Sequence, residues 1–501
     1  MTWFRLSIAT VLLSLLSSVV AKDANATKCL ADLKPDGAPP NNTKVLILGG
    51  GMAGVIAART LHERGIDDFV IVEAKHEFGG RMAKQTFGVN GSEYVIEKGA
   101  NWIHGTQTDD GPANPVWLLA EKHNLSMVAS NLSTDITFFD YNGPNNYSAT
   151  FEASLAAVES ARALAGQRWQ ENKTDLDLRS AYKYLGVAPK TPQEEACEYY
   201  QIDYVYAQDA SQTSTLAAAL SYNNTYNPEA GGYSDVDMLS VDQRGIACIV
   251  QAEAATFLNT SQVLFNQTVK TIQYNQNGVT VQTTDGYSLT ADHALVTFSA
   301  GVLQNTDVVF EPALPDWKRE AISSIEMSVY TKIFLQFKEK FWFDTGIGLY
   351  ADQQKGRYPV WESLDHPCLF PGSGIIFVTV TGDYANYLEQ LNKNITQVQL
   401  EVMEVLRRMY PGAPDPVDIW LPIWGRAPLF RGSYSSWGAP FVPEYSYNLS
   451  APVNGHLWFA GEATSSKYFG FMHGAYLEGQ KAATNIATCI KNPQRCPPTT
   501  T

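Results

Sequence analysis

Two short segments near opposite ends of the chain carry residue types and spacings that could hold a large nucleotide cofactor. Gly49, Gly51 and Gly54 lie between an apolar run, Val45-Leu46-Ile47-Leu48, and a stretch with helical spacing from Met52 to about Arg64, which Gly65 ends. In such a strand–turn–helix the first glycine permits the tight turn. The second lets the backbone approach a pyrophosphate, and the third lets the helix pack on the strand. The helix then points its first amides at the phosphates. A second strand, Phe69 to Val72, delivers Glu73 where an acid can take a ribose diol. Near the other end, Leu457-Trp458-Phe459-Ala460-Gly461-Glu462-Ala463-Thr464 reads as a strand entering a small-acidic-small turn, followed by a helix start at His473-Gly474-Ala475. A cofactor gripped from both ends of the chain is long, which suits FAD better than NAD.

The elements that must position these residues alternate between strand and helix. Residues 151–164 and 193–206 have helical spacing, the second until its aromatics crowd. Val263 to Tyr274 and Gly278 to Thr284 alternate as strands around an Asn277-Gly278 turn, and Ala291 to Phe298 is a further apolar strand. Leu314 to Ser323 is a helix opened by a proline, Tyr330 to Phe337 alternates again, Gln397 to Met409 is amphipathic, and 474–490 closes the chain as a helix. This pattern implies an α/β fold: a Rossmann-like FAD-binding domain, discontinuous in sequence, plus an α+β substrate-binding domain with a mixed sheet. The expected division is 44–125, 237–322 and 435–490 for the first domain and 126–236 and 323–434 for the second. A polar segment, 22–43, precedes them, and a tail, 491–501, follows.

Composition narrows the function classes. A chain of 501 residues with 45% hydrophobic and 12% aromatic content can bury two or three domain cores. Its net charge of −15 argues against nucleic acid, which wants a basic face, and suits steering of a cationic substrate. Residues 1–21 read as a secretory signal: Arg5, an apolar run from Leu6 to Val20, and Val19-Val20-Ala21 as the cleavage site. That run is too short and serine-rich for a membrane span, so no stable membrane insertion is expected. Glycosylation sequons begin at Asn25, Asn41, Asn90, Asn124, Asn131, Asn146, Asn172, Asn223, Asn259, Asn266, Asn394 and Asn448. Six cysteines fit an oxidising compartment. Cys489 and Cys496 are close enough to pair locally, but connectivity is open. Nothing in the spacing suggests a metal, and the oligomeric state is not legible.

The run Glu73 to Gly79-Gly80-Arg81, followed by Gly99-Ala100-Asn101-Trp102-Ile103-His104-Gly105, resembles the flavin-dependent amine oxidases. Residues 296–304, 327–335, 429–435 and 459–479 are most similar to the extracellular plant polyamine oxidases, and the resemblance covers nearly everything from about 44 to 490. It implies FAD, a two-domain fold and oxidation of a C–N bond. Hydride passes from the amine's α-carbon to the flavin, water hydrolyses the imine, and dioxygen becomes hydrogen peroxide. The hard chemistry belongs to the cofactor.

The resemblance also assigns roles. Lys332 matches the lysine that holds a water against the flavin; a lysine among Ile333, Phe334 and Leu335 is costly to bury and should lose its charge more easily. Tyr434 and Phe471 match the two aromatic walls of the amine site, in the reverse order from the plant enzymes. Trp424 and Trp102 match tryptophans of the same pocket. Glu73 is expected on the adenosine ribose, Arg81 on phosphate charge, Glu462 on the ribityl or pyrophosphate region, and Val269 along the adenine. Ser433 stands where the monoamine oxidases place a flavin-linking cysteine, which implies noncovalent FAD.

His104 departs from the plant pattern, which has an acid there, and matches the Trp-Ile-His-Gly run of animal acetylpolyamine and spermine oxidases. The segment Tyr200 to Gln208 also lacks the acid that the plant enzymes carry near its middle. The expectation is a secreted polyamine oxidase acting on spermine, spermidine or their acetyl forms, with O2 as co-substrate. The competing readings are an L-amino-acid oxidase, for which Arg426 and Arg431 match no carboxylate-fixing motif, a histone demethylase, against which the signal-like segment and sequons point out of the nucleus, and an inactive flavin-bearing glycoprotein.

Overall fold

Val45, Leu46, Ile47 and Leu48 are fully buried, as the two covered faces of a central parallel strand require. In the computed structural model, which describes Cys29, residues 41–130 and residues 135–496, they belong to the strand Asn42–Leu48. It pairs in parallel with Phe69–Val72 on one side and Ser288–Val296 on the other. The signal-like segment 1–21 and the sequons at Asn25 and Asn131 lie outside the described residues.

This eight-stranded sheet runs Val263–Leu264, Phe69–Val72, Asn42–Leu48, Ser288–Val296, Gly278–Thr283, Val269–Asn275, Val309–Glu311. The late strand Leu457–Phe459 adds in parallel beside Ser288–Val296. Leu48 is level with Val296, and Val296 with Phe459, so the turns at Gly49 and Gly461 leave the same edge of the sheet. Above them the first helix, Met52–Glu63, packs on the last, Met472–Lys491. The contact is backbone to backbone: a Cβ on Gly479 would come within 2.3 Å of the Ala53 carbonyl oxygen.

The sequence predicts one strand from Val263 to Tyr274, and here the structure differs. Val263–Leu264 pairs with Ile71–Val72, whereas Val269–Asn275 pairs antiparallel with Gly278–Thr283. Between them Asn266 adopts φ 59°, and the amides of Asn266 and Gln267 bond the carbonyls of Lys75 and Glu73. The chain bends around the Glu73 turn, bringing Val269 beside it. The helical stretch from 193 also resolves into parts: Pro192–Glu198, a π-helical turn Tyr199–Asp203, and Tyr204–Tyr206. Lys355 bridges Glu198 and Asp203 at 3.2 and 2.8 Å, pinning that wide turn at both ends.

A second sheet is ordered Asp418–Trp420, Tyr330–Gln336, Ile375–Thr381, Val360–Ser363, Ile347–Ala351, Ile136–Asp140, Gly143–Pro144. Its pairs are antiparallel except Ile347–Ala351 with Ile136–Asp140, so the sheet is mixed. Alternate residues of Tyr330–Gln336 face opposite ways. Ile333 and Leu335 join the core with the helix Ile395–Met409, while Phe334 packs on Phe87 and Ile96 of the hairpin Lys84–Phe87/Tyr94–Glu97. Lys332 shares the parity of Phe334 and so faces the hairpin side, towards the first sheet.

Disulfides join Cys29 to Cys248 and Cys489 to Cys496, leaving Cys197 and Cys368 as thiols. Among the described residues no helix is long and apolar enough to cross a membrane, and no group of three or more His, Cys, Asp or Glu side chains could hold a metal ion.

The closest approach in the first motif sets a test. A Cβ on Gly54 would lie 1.9 Å from the Gly49 carbonyl oxygen. Gly54→Ala must lift the first helix off its strand, at a cost of about 1–3 kcal/mol. The variant is expected to melt several degrees lower and to purify with less bound flavin; unchanged melting temperature and flavin content would refute the close-packing role.

Candidate active site

A single cavity of about 800 Å³ runs from the Gly49 turn to the side chains around Lys332. Its lining includes Gly49, Gly51, Glu73, Arg81, Trp102, His104, Val269, Lys332, Trp424, Tyr434, Glu462 and Phe471. Gly54 is the one candidate residue outside the lining; it acts through packing, one turn into the helix.

The nucleotide end is built from backbone. Gly49 takes φ +116°, and a side chain there would strike Thr297 Oγ1 at 2.4 Å. Gly51 caps the first helix without any side-chain hydrogen bond, so the first-turn amides lack a protein cap, and Met52 and Ala53 line the cavity. A Cβ on Gly51 would meet only Gly80 Cα, at 4.0 Å. Uncapped donors beside bare backbone fit a pyrophosphate. Glu73, 6% exposed, accepts from the Gly50 amide at 2.6 Å and the Lys75 amide at 2.7 Å. Burial raises its carboxyl, against those two bonds. These residues fit FAD's adenosine diphosphate half, and no cysteine lines the cavity among the described residues.

Arg81 and Glu462 are nearer to each other than the sequence suggests. Arg81 Nη1 donates to Glu462 Oε1 at 2.7 Å and to the Ser433 carbonyl at 3.1 Å. Glu462 Oε2 accepts from the Gly470 amide at 2.7 Å and from the Ser435 hydroxyl. Part of the positive charge expected to face phosphate is therefore met by Glu462, and the pair ties four separated segments together where the cavity passes.

Lys332 is 3% exposed. Its ammonium donates to the carbonyls of Gly99 at 2.9 Å and Glu97 at 3.3 Å and to Asn101 Oδ1 at 2.9 Å. Three acceptors match three protons, so the charged lysine can hold a cavity water only by releasing one of these bonds; the neutral amine has a lone pair to offer it. Burial lowers its pKa, opposed by the carboxylates of Glu362 and Glu97. Glu362, also 3% exposed, is pushed upwards by the same burial and accepts from the Tyr204 hydroxyl at 2.8 Å.

Two aromatic groups form the walls. Tyr434 continues a series through Tyr330 (5.9 Å between centroids), Tyr204 (5.6 Å) and Tyr200 (5.5 Å, stacked), and its hydroxyl donates to the Val205 carbonyl at 3.0 Å. Phe471 meets His104 edge-on at 5.2 Å and stacks on His473 at 4.9 Å. Trp102 lies beside His104 at 6.3 Å. Trp424, 3% exposed, donates from Nε1 to the Lys98 carbonyl at 3.3 Å. His473 is driven down to about 3 by burial and by His104, so it stays neutral.

Sequence reasoning missed Asp237. Its Oδ2 is 3.1 Å from His104 Nδ1 and its Oδ1 accepts from the Gly105 amide at 3.1 Å. Tyr226 Oη is 2.9 Å from the same ring nitrogen. A carboxylate at Nδ1 favours the tautomer with its proton there and leaves Nε2 as the acceptor. The Asp237 side chain is 28% exposed and lines the cavity. No local pattern marks it, because it reaches His104 across 133 residues. Glu97 and Asn101 could have been found: Glu97 stands two residues before the Gly99–Gly105 run already singled out, and Asn101 lies within it. Arg431 is held by Asp307 at 2.7 and 2.8 Å.

Removing the Arg81 clasp should release flavin. Arg81→Met leaves Glu462 without its cation and the Ser433 carbonyl without its donor, a loss of about 1.5–3 kcal/mol for a charged hydrogen bond. FAD is expected to dissociate at least about tenfold more readily, read from the fluorescence of flavin passing through a filter; retention equal to the unaltered protein would exclude the clasp.

Comparison with known proteins places this geometry. Residues 52–487 match the family described as flavin containing amine oxidoreductase. The chain is 34% identical over 480 residues to polyamine oxidase 1 of Zea mays, covering 89% of this chain and 91% of that protein. It is 34% identical over 466 residues to polyamine oxidase 7 of Oryza sativa subsp. japonica, with 87% and 93% covered. The fold resembles cyclohexylamine oxidase from Brevibacterium oxydans IH-35A, at a TM-score of 0.70 and 20% identity over 90% of this chain and 100% of that one. It also resembles wild-type putrescine oxidase bound to putrescine, at 0.70 and 17% over 89% and 99%. With a dinucleotide cradle, a buried lysine and aromatic walls in one cavity, and a family match along most of its length, the chain belongs to the flavin-containing amine oxidoreductases and is an FAD-dependent amine oxidase.

Proposed function

We propose that the chain is a secreted polyamine oxidase that binds FAD noncovalently and oxidises a C–N bond of spermine or spermidine, producing an aldehyde, an amine and hydrogen peroxide. One observation carries the substrate reading: Asp237, exposed to the cavity beside His104, gives the aromatic chamber a carboxylate at one end. A long polycation can place one nitrogen between the aromatic walls and another on that acid. The likeness to the maize and rice polyamine oxidases points the same way.

When bound, FAD supplies the acceptor for the hydride equivalent leaving the amine's α-carbon. The protein's work is to position, dry and deprotonate. Tyr434 and Phe471 flank the amine and exclude water, which strengthens every charge interaction inside. Trp424 and Trp102 extend that apolar surface. Lys332 Nζ, with its charge weakened by burial, takes or returns a proton and holds the water that hydrolyses the imine. Asp237 binds a distal ammonium and fixes the tautomer of His104. Because the carboxylate is at this end, a free ammonium should be preferred there to an acetylated nitrogen.

Secretion rests on residues 1–21, the sequons and the cysteines. Within the described chain Asn448 is half-buried and the other sequon asparagines are exposed, as glycosylation requires. Two disulfides suit an oxidising compartment. The net charge of −15 would speed capture of polycations at low salt.

Anaerobic bleaching of the flavin, measured against spermine, spermidine, N1-acetylspermine and a panel of L-amino acids, tests the reading. Free polyamines are expected to bleach fastest. Asp237→Ala should raise KM for spermine about tenfold or more, with kcat changing less, and should erase the preference over the acetylated form. Bleaching by amino acids alone would overturn the assignment.

Lys332→Met separates binding from chemistry. Flavin should remain bound while the reaction slows by about 10²–10⁴-fold, the range for a lost proton-transfer group; turnover at the original rate would remove Lys332 from the mechanism.

A further inference from the structure

Lys332 and Asn101 line a second, far smaller chamber of about 20 Å³ as well as the large cavity. Glu97 lines only the small one, together with Ser240 and Asp242. A chamber of this size with several polar walls has room for one water. Glu97 Oε1 accepts from the Ile246 amide at 2.5 Å and the Ser240 hydroxyl at 3.3 Å, but Oε2 is buried without a hydrogen-bond partner. Buried oxygens left unpartnered are uncommon and ask for a reason. Here the unpartnered oxygen belongs to a carboxyl that shares a water-sized space with the reactive lysine.

The neighbours leave Glu97 free to change its charge. Lys332 and Lys84 are the cations facing it. Lys84 is anchored to the Arg244 carbonyl at 2.6 Å. Burial works against ionisation of Asp242, but its bonds from Arg244 and the Ser126 amide hold it below the usual carboxylate range. Glu362 also acts on Lys332, with its own carboxyl bonded to Tyr204. Burial pushes Glu97 up to about 7, against the Ile246 amide and the charge of Lys332.

We propose that Glu97 is the proton store of the reaction, exchanging a proton with Lys332 through one water in the small chamber. An N–H bond of the bound ammonium breaks and its proton passes to the neutral Lys332 Nζ. Lys332 passes a proton through the chamber water, and an O–H bond forms at Glu97 Oε2. One proton leaves the substrate, one arrives at the carboxylate, and no electrons move. The amine is then neutral, as hydride loss requires, and the reverse path returns the proton to the cavity. Glu97 touches neither substrate nor cofactor; it is a positioning residue acting through Lys332. The proposal rests on amine oxidation at this cavity.

The test uses the holoenzyme and E97Q, which keeps the acceptor for Ile246 and cannot store a proton. In the unaltered enzyme the anaerobic rate of flavin reduction by spermine should rise with an inflection near pH 7. In E97Q that inflection should vanish and the rate above it should drop at least tenfold, with Glu97→Asp restoring part of both. Matching profiles, or a uniform slowing that keeps the inflection, would overturn the proposal.

Two readouts need no amine. A carboxyl whose folded pKa exceeds its unfolded value stabilises the fold below about pH 4.5 and loses that contribution as pH rises through about 7. The melting temperature of the unaltered holoenzyme should therefore fall across that window more than that of E97Q. Raising the pH of the oxidised holoenzyme through about 7 should also give an infrared difference band for loss of a protonated carboxyl C=O, and that band should be missing in E97Q. A spectrum of the unaltered protein without any such band refutes the store, whichever amines bleach the flavin and whether or not E97Q folds.

Discussion

The strand Ser288–Val296 is the constraint on which the rest depends. It pairs at once with the first strand of the described chain and with the last, and its end at Val296 is level with Leu48 and Phe459. Thr297, one residue on, donates its hydroxyl to the carbonyls of Leu48 and Gly49 at 2.9 and 3.2 Å. Both turns consequently open at the carboxyl ends of parallel strands, where helix amides and bare backbone converge. A cofactor seated there is held by residues more than 400 positions apart only because one register aligns them. The Arg81–Glu462 pair completes that alignment, since its acid comes from the late turn and its base from the Gly79-Gly80-Arg81 segment that follows the strand Phe69–Val72.

The second sheet brings a buried lysine, Lys332, to the same cavity. Burying a lysine is expensive unless its donors are met, and Lys332 is met by three acceptors from the 97–101 segment. That segment belongs to the first half of the cofactor cavity, so the lysine's position depends on how the two sheets dock. Its environment combines low solvation with two buried carboxyls. Burial lowers the pKa of the lysine and raises those of both carboxyls, which brings the three groups nearer to one another in proton affinity. The aromatic walls serve the same end by keeping bulk water away from them.

The residues legible in the sequence are those whose role is local. Gly49, Gly51 and Gly54 are fixed by turn and packing geometry within a few residues, and Glu73 follows from the strand that carries it. Lys332 is found through the resemblance of residues 327–335; a lysine beside Ile333, Phe334 and Leu335 is equally compatible with an exposed strand edge until the fold buries it. What stayed hidden is tertiary. Asp237 reaches His104 across 133 residues from a stretch with no periodicity. Arg81 meets Glu462 across 381 residues, so its pairing with that acid rather than with phosphate alone has no sequence signature. The break at 265–268 has only a weak local signal, the polar run Asn266-Gln267-Thr268 between two apolar stretches, while the backbone turns at Asn266. His104 illustrates the middle case: the residue was visible, but the acid that sets its tautomer was not.

In the arrangement proposed above, one cavity holds FAD at the glycine turns and a polyamine between Tyr434, Phe471 and Asp237, with Lys332 at the reacting end. A crystal structure of the flavin-loaded protein, soaked without oxygen with a slowly reacting diamine, tests it most directly. The flavin ring is expected beside Lys332, with one amine nitrogen between the two aromatic walls and the other on the Asp237 carboxylate. A diamine bound elsewhere, or a flavin ring remote from Lys332, would contradict it.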